Sequence, residues 1–151
     1  TDYQFEALGV PRNPEIGVNA DPRYYDEGLC GPLRTDQVRQ VSECGMFKTP
    51  GLRNVATRRV FFHNGRFHTL KEALQFYVRR DTNAARWYPS SGGVVDKFDD
   101  LPRPQRSNID VTDAPLTRSA GQAPLWSDAQ IGDVIAFLET LTDQDVSAAA
   151  P

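Results

Sequence analysis

Only two stretches of this 151-residue chain read plainly as helix, and 45 residues carrying five prolines separate them. Each helix opens on a capping box, in which a hydroxyl and a carboxylate or amide answer two orphan backbone N–H groups. Thr69-Leu70-Lys71-Glu72 starts the first and puts Leu70, Ala73, Leu74, Tyr77 and Val78 on one stripe, ending near Asp81. Ser127-Asp128-Ala129-Gln130 starts the second, with Ile131, Val134, Ile135, Leu138 and Leu141 on one face. A structureless connection as long as 82–126 is uncommon in a compact domain. It is therefore either disordered or laid across something else: another domain, a cofactor edge or a second subunit. Trp87, Tyr88, Phe98 and Trp126 are anchors that favour the packed alternative.

Weaker signals fill in the rest. Thr49-Pro50 followed by Leu52, Val55 and Ala56 predicts a short helix with Pro near its first position. Thr35 caps a lesser turn carrying Val38 and Val41. Val60-Phe61-Phe62 and Val94-Val95 are too short to read as strands, so the expected fold class is all-α with long irregular loops. A chain of this length buries roughly 70% of its unfolded surface, enough for a real core. Eleven Pro and eleven Gly argue against a compact helical bundle. No apolar run is long enough to span a membrane, and the polar, acidic opening does not read as a signal peptide. Residues 1–143 are expected to form one domain and 144–151, with Ala148 to Ala150, a frayed tail.

Charge is unevenly distributed. Residues 48–86 carry nine basic against two acidic side chains inside a chain of net charge −3. Such a block suits an anionic partner, either nucleic acid or the carboxylates of a cofactor, and suits equally a solvated face balanced by acidic ends. Nucleic acid is the weaker reading, because the nearby aromatics follow helical core spacing instead of forming a stacking platform.

The two cysteines, Cys30 and Cys44, lack the short paired spacings of a zinc site. No C-x-x-C-H is present, so nothing in this chain attaches a haem through thioethers. In an oxidising compartment the pair closes a 15-residue loop, worth about 3 kcal/mol. In a reducing one they are ordinary buried thiols.

The densest candidate chemistry runs from Cys44 to Asn54 and then through Phe61-Phe62-His63-Asn64-Gly65-Arg66. Met46, the only methionine, sits between Gly45 and Phe47. A lone Met is ordinarily a gap-filler of the core, but its thioether is also a soft ligand that raises the potential of haem iron. Arg53 and Lys48 are candidates to answer haem propionates. His63 reads as a turn histidine whose ring bonds a propionate or a carbonyl, ligates iron, or is simply structural.

Gly45-Met-Phe-Lys-Thr-Pro-Gly-Leu-Arg-Asn-Val55, Phe61-Phe-His-Asn-Gly65 and Thr69-Leu-Lys-Glu-Ala73 together resemble the bacterial di-haem cytochrome c peroxidase family, which includes MauG-type enzymes. Leu8-Gly-Val-Pro-Arg-Asn-Pro14 and Ile135-Ala-Phe-Leu-Glu-Thr-Leu-Thr142 are similar to the same family, and the resemblance is weakest over 82–126. It implies a cytochrome c-like C-terminal domain, the electron-transfer half of a periplasmic enzyme that reduces hydrogen peroxide to water. It also implies haem c, with Met46 as axial ligand and Arg53, His63 and Lys48 near the haem. Some MauG-type members use another residue at that ligand position, so Met46 favours the peroxidase branch over oxidation of a partner protein. The implied partners are an N-terminal haem domain and a small donor cytochrome or cupredoxin, with a homodimer left open. A calcium ion held by loop carbonyls would involve Thr35 and Asp36.

The family's C-x-x-C-H lies a few residues before the region of Thr1 to Gln4 and is missing here, as is the peroxidatic domain. Cys30 and Cys44 do not replace it, since Gly31 and Gly45 follow them. The expectation is a fragment or cleaved chain, inactive alone. The alternative is a haem-free, cytochrome-like module that binds a partner through its basic 48–86 block.

Overall fold

The computed structural model describes residues 3–147. Its long elements are the two expected helices, α1 (Leu70–Arg79) and α2 (Asp128–Glu139). Both capping boxes form as read: the side chains of Thr69 and Ser127 accept from the N–H groups of Glu72 and Gln130, whose own side chains reach back. A short turn of helix, α3 (Gln144–Ser147), follows α2. This turn falls in the segment expected as a tail, and the Ala148–Ala150 part of that segment lies outside the described residues.

The all-α expectation requires correction. Strand β1 (Phe5–Glu6) pairs antiparallel with β2 (Phe47–Lys48), with Phe5 opposite Lys48 and Glu6 opposite Phe47. Strand β3 (Ser90–Ser91) pairs with β4 (Val94–Val95) around Gly92-Gly93. Both glycines there adopt positive φ, the backbone that tight hairpin turns demand. Two-residue strands are too short to leave an alternating pattern, which is why hydrophobic periodicity missed them. The helix expected at Thr49-Pro50 shrinks to a 3₁₀ turn at Val55–Thr57, entered through Asn54 in the left-handed region.

The central core is aromatic. Phe61, Phe67, Phe76 and Tyr88 are buried together with Val10 and Ala73, and Trp87 meets both Phe67 and Phe76 edge-on at 5.7 Å. Such edge-to-face pairs add about 0.5–1.5 kcal/mol each beyond area burial. Phe76 has no exposed surface.

The long 82–126 connection is packed across its own domain. Tyr88, Leu101, Ile109 and Leu116 are all buried, and 3₁₀ turns at Ala84–Arg86 and Arg103–Asn108 shorten the irregular stretch. Arg80, at the end of α1, is fully buried and ties this connection to the N-terminal segment. Its guanidinium donates to Leu8 O (3.0 Å), to Asp110 O (2.7 Å) and to the Asp81 carboxylate (2.7 Å).

Candidate functional site: an apolar cavity beside helix α1

The N-terminal segment, the 45–63 stretch, α1 and the 100–116 stretch enclose a cavity of about 630 Å³. That size falls within the range of sites built for cofactors and other small molecules. Helix α1 contributes Leu70, Ala73, Leu74 and Tyr77 to its wall. These stand at i, i+3, i+4 and i+7 and so share one face. Most of the stripe that looks from sequence like a core face therefore borders the cavity; Ala73 serves both wall and core, and Val78, with Phe76, serves the core. Leu8, Val10, Phe61, Phe62, Leu116 and Leu138 extend the apolar lining.

Two glycines let backbone approach closely here. A Cβ on Gly9 would stand 2.3 Å from the Phe98 ring, and one on Gly45 2.8 Å from Leu101. Both have positive φ as well, so larger residues are excluded by space and by backbone geometry.

The mostly apolar wall also carries polar and charged groups. Tyr77 presents a phenol whose burial, with the Glu6 carboxylate as a smaller influence, pushes its pKa up to about 12. It is therefore a neutral hydroxyl at neutral pH. His63 also lines the cavity, its ring stacked on Phe47 at 3.7 Å and 8°. Lys48 and Arg58 supply positive charge, set against Glu6, Asp26, Asp100, Asp110 and Asp113.

The structure distributes the sequence candidates unevenly. His63 and Lys48 are on the wall. Met46 is not among the lining residues, although Gly45 and Phe47 on either side are. Its side chain packs against the cluster of Ala7, Leu101 and Ile109, and its carbonyl accepts from Leu29 N at 3.3 Å. Met46 thus packs on that cluster, while Phe47 stacks on His63. Arg53 also lies outside the lining. Its Nε donates to Asp143 at 2.8 Å, in a clamp where Asn54 Nδ2 donates to the same carboxylate at 2.9 Å. That clamp fastens the 53–54 turn to the end of α2.

Cys30 and Cys44 are joined as a disulfide. The Asp36 carboxylate is paired with Arg34 at 2.7 Å, and that hydrogen bond holds its pKa down to about 2. Among the described residues no group of three or more His, Cys, Asp or Glu side chains is arranged to hold a metal ion. Sequence reading missed Tyr77, Arg58 and Asp100 as wall residues. The first was visible as part of the α1 stripe and the second as part of the basic block, whereas Asp100 left no local signal.

No family model matches the chain. It is 30% identical to the methylamine utilization protein MauG of Paracoccus denitrificans over 95% of its own length and 35% of that protein. The crystal structure of the diheme peroxidase BthA from Burkholderia thailandensis superposes with a TM-score of 0.84 at 43% identity, over 95% of this chain and 34% of that one. A tyrosine-to-methionine variant of BthA superposes at 0.85 with 42% identity over the same shares. The chain thus spans about a third of the length of each relative. With these matches running through its motifs and its fold, it belongs to the bacterial di-haem cytochrome c peroxidase/MauG-type family.

Proposed function

We propose that this chain builds a haem c site within a di-haem peroxidase-type enzyme, the haem being attached through residues outside it. The observation that carries this is the wall itself: a cavity of about 630 Å³, mostly apolar, with one phenol and one stacked imidazole on it. An apolar cavity of that size gains by excluding water around an apolar macrocycle, which favours this reading over a haem-free binding module.

The residues fit the group. Leu70, Leu74, Phe61 and Leu138 would exclude water from the ring faces, while Lys48 and Arg58 are placed to answer carboxylates. Tyr77, which is on the wall where Met46 is not, would offer iron a phenol oxygen once its proton is given up, a ligand type that haem proteins use. A bound haem would supply redox chemistry with hydrogen peroxide as the oxidant. Reduction of peroxide to water, with electrons from a small cytochrome or cupredoxin, is the first reading. Oxidation of a partner protein, as in the MauG-type branch, is the second, and the phenol on the wall in place of a thioether favours it. The Cys30–Cys44 bond is consistent with a periplasmic setting, since disulfides persist in oxidising compartments.

The test uses the natively purified full-length protein containing this chain. Its intact mass should include covalent haem and its absorbance a Soret band. Tyr77→Phe should alter the spectrum of one haem while Met46→Leu leaves it unchanged. A folded, colourless protein would reject the haem reading. The opposite pattern in the two variants would return the ligand assignment to Met46.

A further inference from the structure

We propose that Asp100 is a positioning residue that fixes the His63 ring against the cavity's occupant. This rests on the haem reading above. His63 Nε2 lies 3.5 Å from Asp100 Oδ2, with the two side chains 13% and 6% exposed. One face of the ring is covered by Phe47. Held between carboxylate and phenyl ring, the imidazole has one orientation, and Nδ1 is the nitrogen left for the cavity. No described residue makes a hydrogen bond to it.

Asp100 is itself held by two segments distant in sequence. Asn64 Nδ2 donates to its Oδ2 at 2.8 Å, and Arg12 Nη1 stands 3.4 Å from its Oδ1. Asn64 is locked in turn, donating to Pro11 O at 2.9 Å while its own carbonyl accepts from Asn13 Nδ2 at 2.9 Å. Arg12 makes shorter bonds elsewhere, to the carbonyls of Asp21 and Tyr24, both at 2.8 Å. Its contact with Asp100 is its longest, so Arg12 frames this carboxylate without consuming it. A carboxylate required only for packing would be satisfied by Arg12 and Asn64. The third contact runs outward, to a ring that lines the cavity. Removing a carboxylate that hydrogen-bonds a metal-ligating imidazole changes affinity or activity by about 10–100-fold, which sets the upper scale for this 3.5 Å contact.

The experiment compares Asp100→Asn, His63→Gln and the double variant in the haem-loaded full-length protein, reading reduction potentials and visible spectra. Each single variant should shift the reduction equilibrium of one haem about 10-fold, or 59 mV for one electron. Asp100→Asn should add nothing in the His63→Gln background, since it acts through that ring. A shift that persists undiminished there, or no shift in either single variant, overturns the proposal. Should Asp100→Asn fail to fold, Asp100→Glu takes its place in both backgrounds: no shift, or a shift undiminished beside His63→Gln, overturns the proposal, and a shift that vanishes there sustains it. Absence of haem from the unaltered protein defeats the haem reading and this proposal together. A normal haem spectrum with unmoved potentials defeats this proposal only.

Discussion

Replacing Arg80 with methionine tests how the cavity is held open. The guanidinium has no exposed surface, lies over the Phe98 ring with its carbon 5.2 Å from the centroid, and joins three separate parts of the chain. Methionine preserves bulk but removes the bonds to Leu8 O, Asp110 O and Asp81. Breaking a buried charge pair from one side costs about 3–5 kcal/mol, because the remaining charge is stranded. Lys97 also pairs with Asp81, so the carboxylate is not left alone and the low end applies to that term. The two orphaned carbonyls add about 1–3 kcal/mol each where water does not reach them. A net loss of at least about 3 kcal/mol is expected, rising to about 5–9 kcal/mol where water reaches neither carbonyl, so the urea midpoint should fall by at least roughly 1 M. Arg80→Lys keeps the charge but offers one ammonium where a planar fork meets three acceptors, and should lose about half as much. Leu8 and Asp110 both line the cavity, so ligand retention should fall along with stability. Two variants each within ~1 kcal/mol of the parent in urea titration would refute the claim that this fork ties the wall together.

Two further outcomes are expected. Cys30→Ser/Cys44→Ser should lose about 3 kcal/mol in denaturant titration, the chain-entropy value of a 15-residue loop; an unchanged midpoint would show that the loop is already ordered without its bond. Glu72 feels burial, which raises its pKa, but the Thr69 hydroxyl and the N–H groups of His68 and Thr69 outweigh it and hold the carboxyl below its usual 4.5. A depressed folded-state pKa contributes stability that is present above the unfolded value and lost as pH falls through the folded one. Glu72→Gln should therefore flatten the acid limb of the stability curve below about pH 4.5 and leave its shape at pH 7 unchanged, measured by urea titration across pH 2–7. An acid limb as steep as the parent's would show that the capping box carries no acid-sensitive stability.

The two helices and their first turns were legible because a capping box and a 3.6-residue stripe are local patterns. The meaning of the α1 stripe was not local. From sequence, Leu70, Ala73, Leu74 and Tyr77 look like a core face; in the fold they border a cavity, while Phe76 meets the aromatic core. Apolar periodicity reports that a face is hidden from water, not what hides it. The same limit applies at Met46: its thioether is chemistry suited to iron, but which of Met46, Phe47 and Lys48 borders the cavity is not written in the local sequence, and in the fold it is Phe47 and Lys48 that do.

By itself the sequence determined the family resemblance, both helix starts, the candidate disulfide pair and the candidacy of His63, because each is carried by residues adjacent in the chain or by a short spacing. Tertiary structure alone decided that the cysteines bond, that Arg53 clamps Asp143, that Arg80 is a buried hub, and that Asp100 stands beside His63. These depend on which distant segments meet. A hydrogen bond acts over about 3 Å of space whatever the separation along the chain.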